Sequence, residues 1–331
     1  MCAASCYTQK VRSTRREILV SSGALAATAL LGCRSTAVSS GPAIVSLTQR
    51  RVVQTLPGVA SVDGAGVHLT RVIGQAALRN LDPFILLDRI HSDDPAAYER
   101  GFPDHPHRGF ETVTVMLEGA MRHRDSRGNH GLITGGGAQW MTAGRGIVHS
   151  EMPEQAHGML HGFQLWMNLP AREKMCDQRY QDLAPSTLAE GSLSSSGSRV
   201  RVIAGHANGL AGPVRERPTD PTLLTLALAD DTPFELEVPD DSTVFAFVYG
   251  GAVIIGPDDA HAQRVTDGTL AILGAGSRVR VRALEEASGV LLAAGRPLHE
   301  PIVQRGPFVM NTEGEIERAI ADYRAGVLDK S

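Results

Sequence analysis

From Val52 onward, hydrophobic and polar positions fall into short apolar runs, each cut off by glycine, proline or aspartate. Residues 113–117, 162–169, 223–228, 243–248 and 291–294 have strand length and many β-branched side chains, so they predict strands. Arg278-Val279-Arg280-Val281-Arg282 alternates with period two, which predicts a strand with one buried face and one solvated face. Near the end of the chain, Thr312 and Glu315 have capping-box spacing. Ile316, Ala319, Ile320 and Tyr323 follow as a helical apolar stripe, and Gly326 marks a stop. That segment predicts one short helix packed on a sheet, with no chemistry assigned to it.

The pattern also divides the chain. Residues 190–198, with five serines and two glycines, read as a linker between two β-rich halves. The halves look like a degenerate repeat. Gly144-Arg-Gly146-Ile-Val-His149-Ser-Glu151 lies on Gly274-Ala-Gly276-Ser-Arg-Val279-Arg-Val281, which sets His149 and Glu151 against two valines. No His-x-His precedes Gly250-Gly251 as His105-Pro106-His107 precedes Gly119. Any polar chemistry therefore belongs to the first half.

Composition narrows the class. The chain has 331 residues, 42% hydrophobic and 21% charged, with net charge −4, which is ordinary globular composition and fits two domains. Aromatics are only 5% beside 35 glycines and 18 prolines, so the core must be largely aliphatic on a chain that turns often. Cys2, Cys6 and Cys33 sit at the start and Cys176 stands alone in the body, which leaves no pair for a disulfide or a cysteine zinc site there. Residues 1–32 carry +3, so the remainder carries −4 less +3, or −7, an unfavourable partner for nucleic acid.

The basic start ends in Arg15-Arg16, followed by an apolar stretch too short and too polar to span a bilayer. It resembles a twin-arginine export signal, and Leu30-Leu31-Gly32-Cys33 resembles a lipobox. These resemblances imply residues 1–32 as a signal and residues 33–51 as a tether. They also imply a protein lipid-anchored at Cys33 in the cell envelope or periplasm, or a cytoplasmic one if the true start lies downstream. A monomer is expected.

Seven of the twelve histidines lie between His105 and His161. His105-x-His107 and His149-x-Glu151 are i, i+2 pairs, and strand side chains alternate, so each pair shares a face. Were the two strands to face one another inside a barrel, three imidazoles and a carboxylate would converge. That donor set, without thiolate, suits iron(II), manganese, nickel, copper or zinc and leaves open positions for substrate and dioxygen. Glu111 shares strand parity with His105 and His107 and is a second candidate carboxylate. His123, His130, His157 and His161 read as loop or surface histidines.

Two blocks, residues 101–114 (GFPDHPHRGFETVT) and 139–153 (QWMTAGRGIVHSEMP), with Gln164-Leu-Trp-Met-Asn-Leu and Gly306-Pro-Phe-Val-Met-Asn-Thr, resemble the pirin family over residues 52–326. The resemblance implies an all-β bicupin: a metal-binding barrel over residues 52–189 and a metal-free barrel with the helix over residues 199–331. It implies iron held by His105, His107, His149 and Glu151, and it makes Glu111 a supporting or structural acid. Some bacterial pirins cleave flavonols such as quercetin with dioxygen, with Glu151 here as the base for the flavonol 3-hydroxyl. Others are described as non-catalytic iron-dependent proteins that modulate a partner, and small-ligand storage in a barrel is a third role.

Overall fold

The apolar runs become inner strands of two seven-stranded antiparallel sheets. A computed structural model of the chain describes residues 48–155, 157–258 and 260–330. The expected export signal, Cys33 and most of the tether lie outside the described residues. One sheet has the order Arg179–Leu183, Ala138–Thr142, Phe110–Glu118, Leu160–Asn168, Phe84–Ser92, Val67–Ile73, Val59–Asp63. The other has the order Val52–Pro57, Thr269–Leu273, Thr243–Gly250, Ser288–Gly295, Thr222–Leu228, Arg199–Ala204, Ala189–Ser192. A four-stranded sheet faces each of them. Phe102–His107, Ile147–Pro153, Ala120–Asp125 and His130–Thr134 close the first barrel; Phe234–Glu237, Arg278–Ala283, Ala252–Ile255 and Gln263–Thr266 close the second. The two strand orders superimpose position by position, so the chain is the expected bicupin and the repeat read from two short segments extends over both barrels.

Burial on both faces explains why the runs are continuous rather than alternating. Along Thr243–Gly250, Val244, Ala246 and Val248 fill the second barrel, while Phe245 and Phe247 enter a core shared by the two large sheets. There Phe84 meets Phe245 edge-on, with ring centroids 4.9 Å apart, beside Val113, Val115, Trp140, Phe163 and Leu165. Arg278–Ala283 instead alternates as expected, with Val279 and Val281 fully buried between half-exposed arginines. The second barrel is filled by aliphatic side chains from both of its sheets. The first has a much smaller apolar cluster around Leu69, Ile90, Met116, Met121 and Leu160, and the rest of its interior is polar or open.

Three expectations change. Residues 190–198 are no loose linker. Ala189–Ser192 forms an edge strand paired with Arg199–Ala204, Glu190 bridges Arg199 and Arg201, and Ser198 is buried, because a serine-rich sequence can still make a tight hairpin. The tether does not run to residue 51: Arg50 is buried and donates to the carbonyls of Gly274, Pro239 and Asp240. Finally, the chain ends cross the boundary expected between the halves. Val52–Pro57 pairs with Thr269–Leu273 of the second barrel, and the C-terminal segment packs on the first.

That segment holds a hairpin, Val303–Arg305 with Phe308–Met310, and the helix Glu313–Arg324, whose capping box forms as expected at Thr312 and Glu315. The helix buries Ile316 and Ala319 against Phe308, Met310 and Leu328, with Val148 of the first barrel alongside, rather than against a broad sheet. Two buried cations tie this segment down. Arg108 donates to Asp322 at 2.7 Å and to the Leu328 carbonyl at 3.1 Å. Lys174 donates to the carbonyls of Gly109 and Val309, at 2.8 and 3.1 Å, and to Asn168 Oδ1 at 2.6 Å. Burial pulls the Lys174 ammonium down to about 8. Replacing Lys174 by Met would leave three buried acceptors without their donor. We expect a loss of about 3 kcal/mol in urea unfolding, and a loss under about 1 kcal/mol would show the clamp to be incidental.

Candidate metal centre

His105 and His107 come from Phe102–His107, and His149 and Glu151 from Ile147–Pro153. The two strands do not face each other across the barrel. They are hydrogen-bonded neighbours in one sheet, with His149 directly opposite His105. Period-two alternation then turns all three imidazoles to the barrel interior, where their ligand nitrogens lie within 4.8 Å of one another. The His105 and His107 Nε2 atoms are 3.1 Å apart.

The surroundings decide which nitrogens are free. His105 Nδ1 lies 2.8 Å from the Pro103 carbonyl and His107 Nδ1 lies 3.4 Å from the Pro307 carbonyl. A carbonyl only accepts, so each Nδ1 carries the proton and each Nε2 presents a lone pair to the centre. Pro307 sits between the strands of the C-terminal hairpin, so the far end of the chain orients a first-barrel histidine. His149 is buried, and neither of its ring nitrogens has a hydrogen-bond partner among the described residues. Burial, and then the neighbouring histidines, hold His107 and His149 well below the usual imidazole range, so both stay neutral. Converging neutral imidazoles with unpartnered nitrogens fit a divalent cation.

Glu151 borders the same cavity as His105 and His107. The ladder toward Phe102–His107 shifts between His149 and Glu151, while the ladder toward Ala120–Asp125 runs unbroken, so Glu151 remains on the inner face. Its carboxylate accepts from Thr114 Oγ1 at 3.0 Å and from Gln164 Nε2 at 3.0 and 2.9 Å. Glu151 is not part of the tight group, which contains the three histidines alone among the described residues. Thr114 and Gln164 had no role in the sequence reading. Gln164 stood in a recognisable block, but nothing local marks a glutamine as the holder of a carboxylate 13 residues away.

Glu111 lies elsewhere. Its parity with the histidines fails because the chain turns at Gly109, where φ is +90°, before the strand Phe110–Glu118 begins. It is buried against Thr142, which donates at 2.7 Å, and Arg217 at 3.6 Å. Burial raises its carboxyl above the usual range, with Arg217 opposing. Of the outlying histidines, His130 and His157 are exposed as expected, but His123 is buried and His161 is half-buried in a strand. His123 is buried, stacks on Tyr180 and lies 3.2 Å from Asp182. His161 accepts from Arg89 at 3.2 Å and packs on His91; burial and then the Arg89 charge push it down to about 3.

Trp166, whose ring stacks near Phe110 and meets His107 edge-on, stands beside the centre. A cavity of about 540 Å³ opens from His105, His107 and Glu151 toward Leu69, Leu86, Ile90, Phe102 and Trp166. In the second barrel, Leu236 stands opposite Val279 as His105 stands opposite His149. Val238 and Val281 take the places of His107 and Glu151, and all four are buried.

His107 and His149 also set a pH dependence. Their folded-state pKa lies below the ordinary 6.5, so on acidification the unfolded chain takes up protons first. The stability of the metal-free protein is therefore full above about pH 6.5 and drains below it, by up to about 1.4 kcal/mol per pH unit for each group. His149→Ala should flatten that slope in urea titrations between pH 4 and 6.5. An unchanged slope would contradict a buried neutral His149.

Known proteins share this fold. Residues 66–167 match the Pirin family model and residues 223–329 match that of the Pirin C-terminal cupin domain. The chain is 45% identical to a pirin-like protein of Caulobacter vibrioides over 278 residues, covering 84% of this chain and 98% of that one. It is 44% identical to human pirin over 268 residues, 79% of this chain and 88% of that one. A crystal structure of quercetin 2,3-dioxygenase from Acinetobacter baumannii superimposes with a TM-score of 0.78 at 33% identity, covering 85% of this chain and 99% of the other. With both barrels, the histidine group and these relatives in agreement, the chain belongs to the pirin family.

Proposed function

We propose that this protein is a metal-dependent dioxygenase that opens the ring of flavonols such as quercetin. The observation that carries the reading is the group of three converging imidazoles, His105, His107 and His149, beside a cavity that His105 and His107 line and whose wall is apolar and aromatic. The cavity's size, about 540 Å³, suits a drug-sized planar molecule, for which pockets of roughly 300–1,000 Å³ are usual. Similarity to the Acinetobacter quercetin 2,3-dioxygenase supports the substrate class. His105, His107 and His149 would hold the ion, with Glu151 completing the set, and iron(II) is the first choice over manganese, nickel, copper or zinc. When bound, such an ion supplies Lewis acidity toward an acidic hydroxyl and, if redox-active, electrons for oxygen chemistry.

The chain's own residues do the rest. Pro103 and Pro307 fix the imidazole tautomers. Trp166 and Phe102 offer flat surface to an aromatic ring, and the enclosing barrel limits water. Glu151, oriented by Thr114 and Gln164, is the group placed to take the proton of an acidic substrate hydroxyl. The export signal and lipid anchor implied by residues 1–33 belong to the same proposal, as an envelope location; a mature chain beginning with unmodified Met1 in mass spectrometry would contradict it.

Iron-loaded protein with quercetin should consume dioxygen and release carbon monoxide. Absence of turnover with iron, manganese, nickel, copper and zinc alike would leave a metal-binding protein without this activity. His149→Ala should lose bound metal, with activity down at least about 100-fold, while keeping the β-rich circular dichroism of the parent. Full metal content in that variant would remove His149 from the centre.

A further inference from the structure

Resting on the reading above, a second wall of the same cavity says which aromatic molecules it admits. Asp63, Arg71 and Asp88 line it together. Arg71 Nε and Nη2 donate to the two oxygens of Asp88, at 3.0 and 2.7 Å, and Nη2 also donates to Asp63 at 2.7 Å. Two carboxylates share one guanidinium, so this wall keeps a net negative charge. The Asp88 side chain is 7% exposed and that of Asp63 is 52% exposed, which leaves Asp63 turned toward whatever enters. Asp104 and Glu151 bring two further carboxylates, and Arg71 is the one Arg or Lys among the residues lining the cavity. Arg124 lies 3.2 Å from Asp104 and offsets it, though both side chains are largely exposed and the pair is screened.

Gln164 adds no charge to this wall. A carboxylate has no proton to give, so the glutamine must turn its NH2 to Glu151. Its carbonyl oxygen is then buried with no donor among the described residues. The exposed acceptors left for a ligand are therefore the carboxylates of Asp63 and Asp104, set against an apolar surface of Leu69, Leu86 and Ile90.

We propose that these walls sort ligands by charge where a ligand meets Asp63 and Arg71. A planar aromatic molecule with uncharged hydrogen-bond donors there, such as phenolic or amide groups, is admitted. One that carries a carboxylate, sulfate or phosphate there is rejected by Asp63, the carboxylate left over once Arg71 pairs with Asp88. Asp63 is the specificity residue that can be changed without touching the metal ligands, whereas neutralising Asp88 would leave Arg71 without its buried partner.

The test uses metal-free full-length chain and two flavonols identical except for a carboxamide or a carboxylate on the pendant phenyl ring, titrated by calorimetry. The carboxamide should bind at least about tenfold more tightly; in Asp63→Asn the carboxylate should gain at least about threefold while the carboxamide stays within about twofold. Equal affinities, preference for the carboxylate, no binding of either ligand, or a carboxylate indifferent to Asp63→Asn would each overturn the inference. Binding without metal involves no turnover. Discrimination that persists in a protein unable to oxygenate quercetin would therefore count against the dioxygenase reading alone.

Discussion

Three imidazole lone pairs aimed at one point repel one another unless a cation lies among them, and the first barrel is built around that constraint. The backbone carbonyls of Pro103 and Pro307 take the Nδ1 protons, so the Nε2 atoms of His105 and His107, 3.1 Å apart, both turn lone pairs toward the centre. His149 is buried with two nitrogens unpartnered among the described residues. Unsatisfied buried polar atoms cost on the order of 1–3 kcal/mol each, and ion coordination would recover that cost. The first barrel accordingly gives up apolar core for polar side chains and a cavity.

The second barrel shows the same frame without the constraint. Its strands follow the same order, yet Leu236, Val238, Val279 and Val281 stand where the first barrel has His105, His107, His149 and Glu151, and mainly aliphatic side chains fill the interior. The shared core, where Phe84, Phe163, Phe245 and Phe247 meet, couples that filled barrel to the more open one. In this way apolar burial in one half supports a polar cavity in the other, because hydrophobic stabilisation follows total buried area rather than its location. The C-terminal segment adds a local tie: Arg108 and Lys174 flank the strand that ends in His107, and both bind the segment that carries Pro307.

Much of this was legible in residue order. Strand-length apolar runs, the alternating arginines and valines, the capping box, and the histidine spacing all report local periodicities of the backbone, and each reappears in the fold at its expected place. Local pattern failed where long-range pairing overrides it. The serine-rich stretch became a hairpin because Arg199 and Arg201 reach Glu190. Strand parity misplaced Glu111 because one left-handed glycine resets the alternation.

The β-rich class, the repeat, the helix and the candidate histidines are thus legible in residue order alone, since each depends on neighbours within a few residues. Only the tertiary structure decided that the two ligand strands lie side by side, that Pro307 orients a histidine 200 residues away, and that Thr114 and Gln164 hold Glu151. It alone revealed the wall of Asp63, Arg71 and Asp88. The physical reason is that hydrogen bonds and charges act through distance in space, and the chain's order does not record which distant segments the packed sheets bring together.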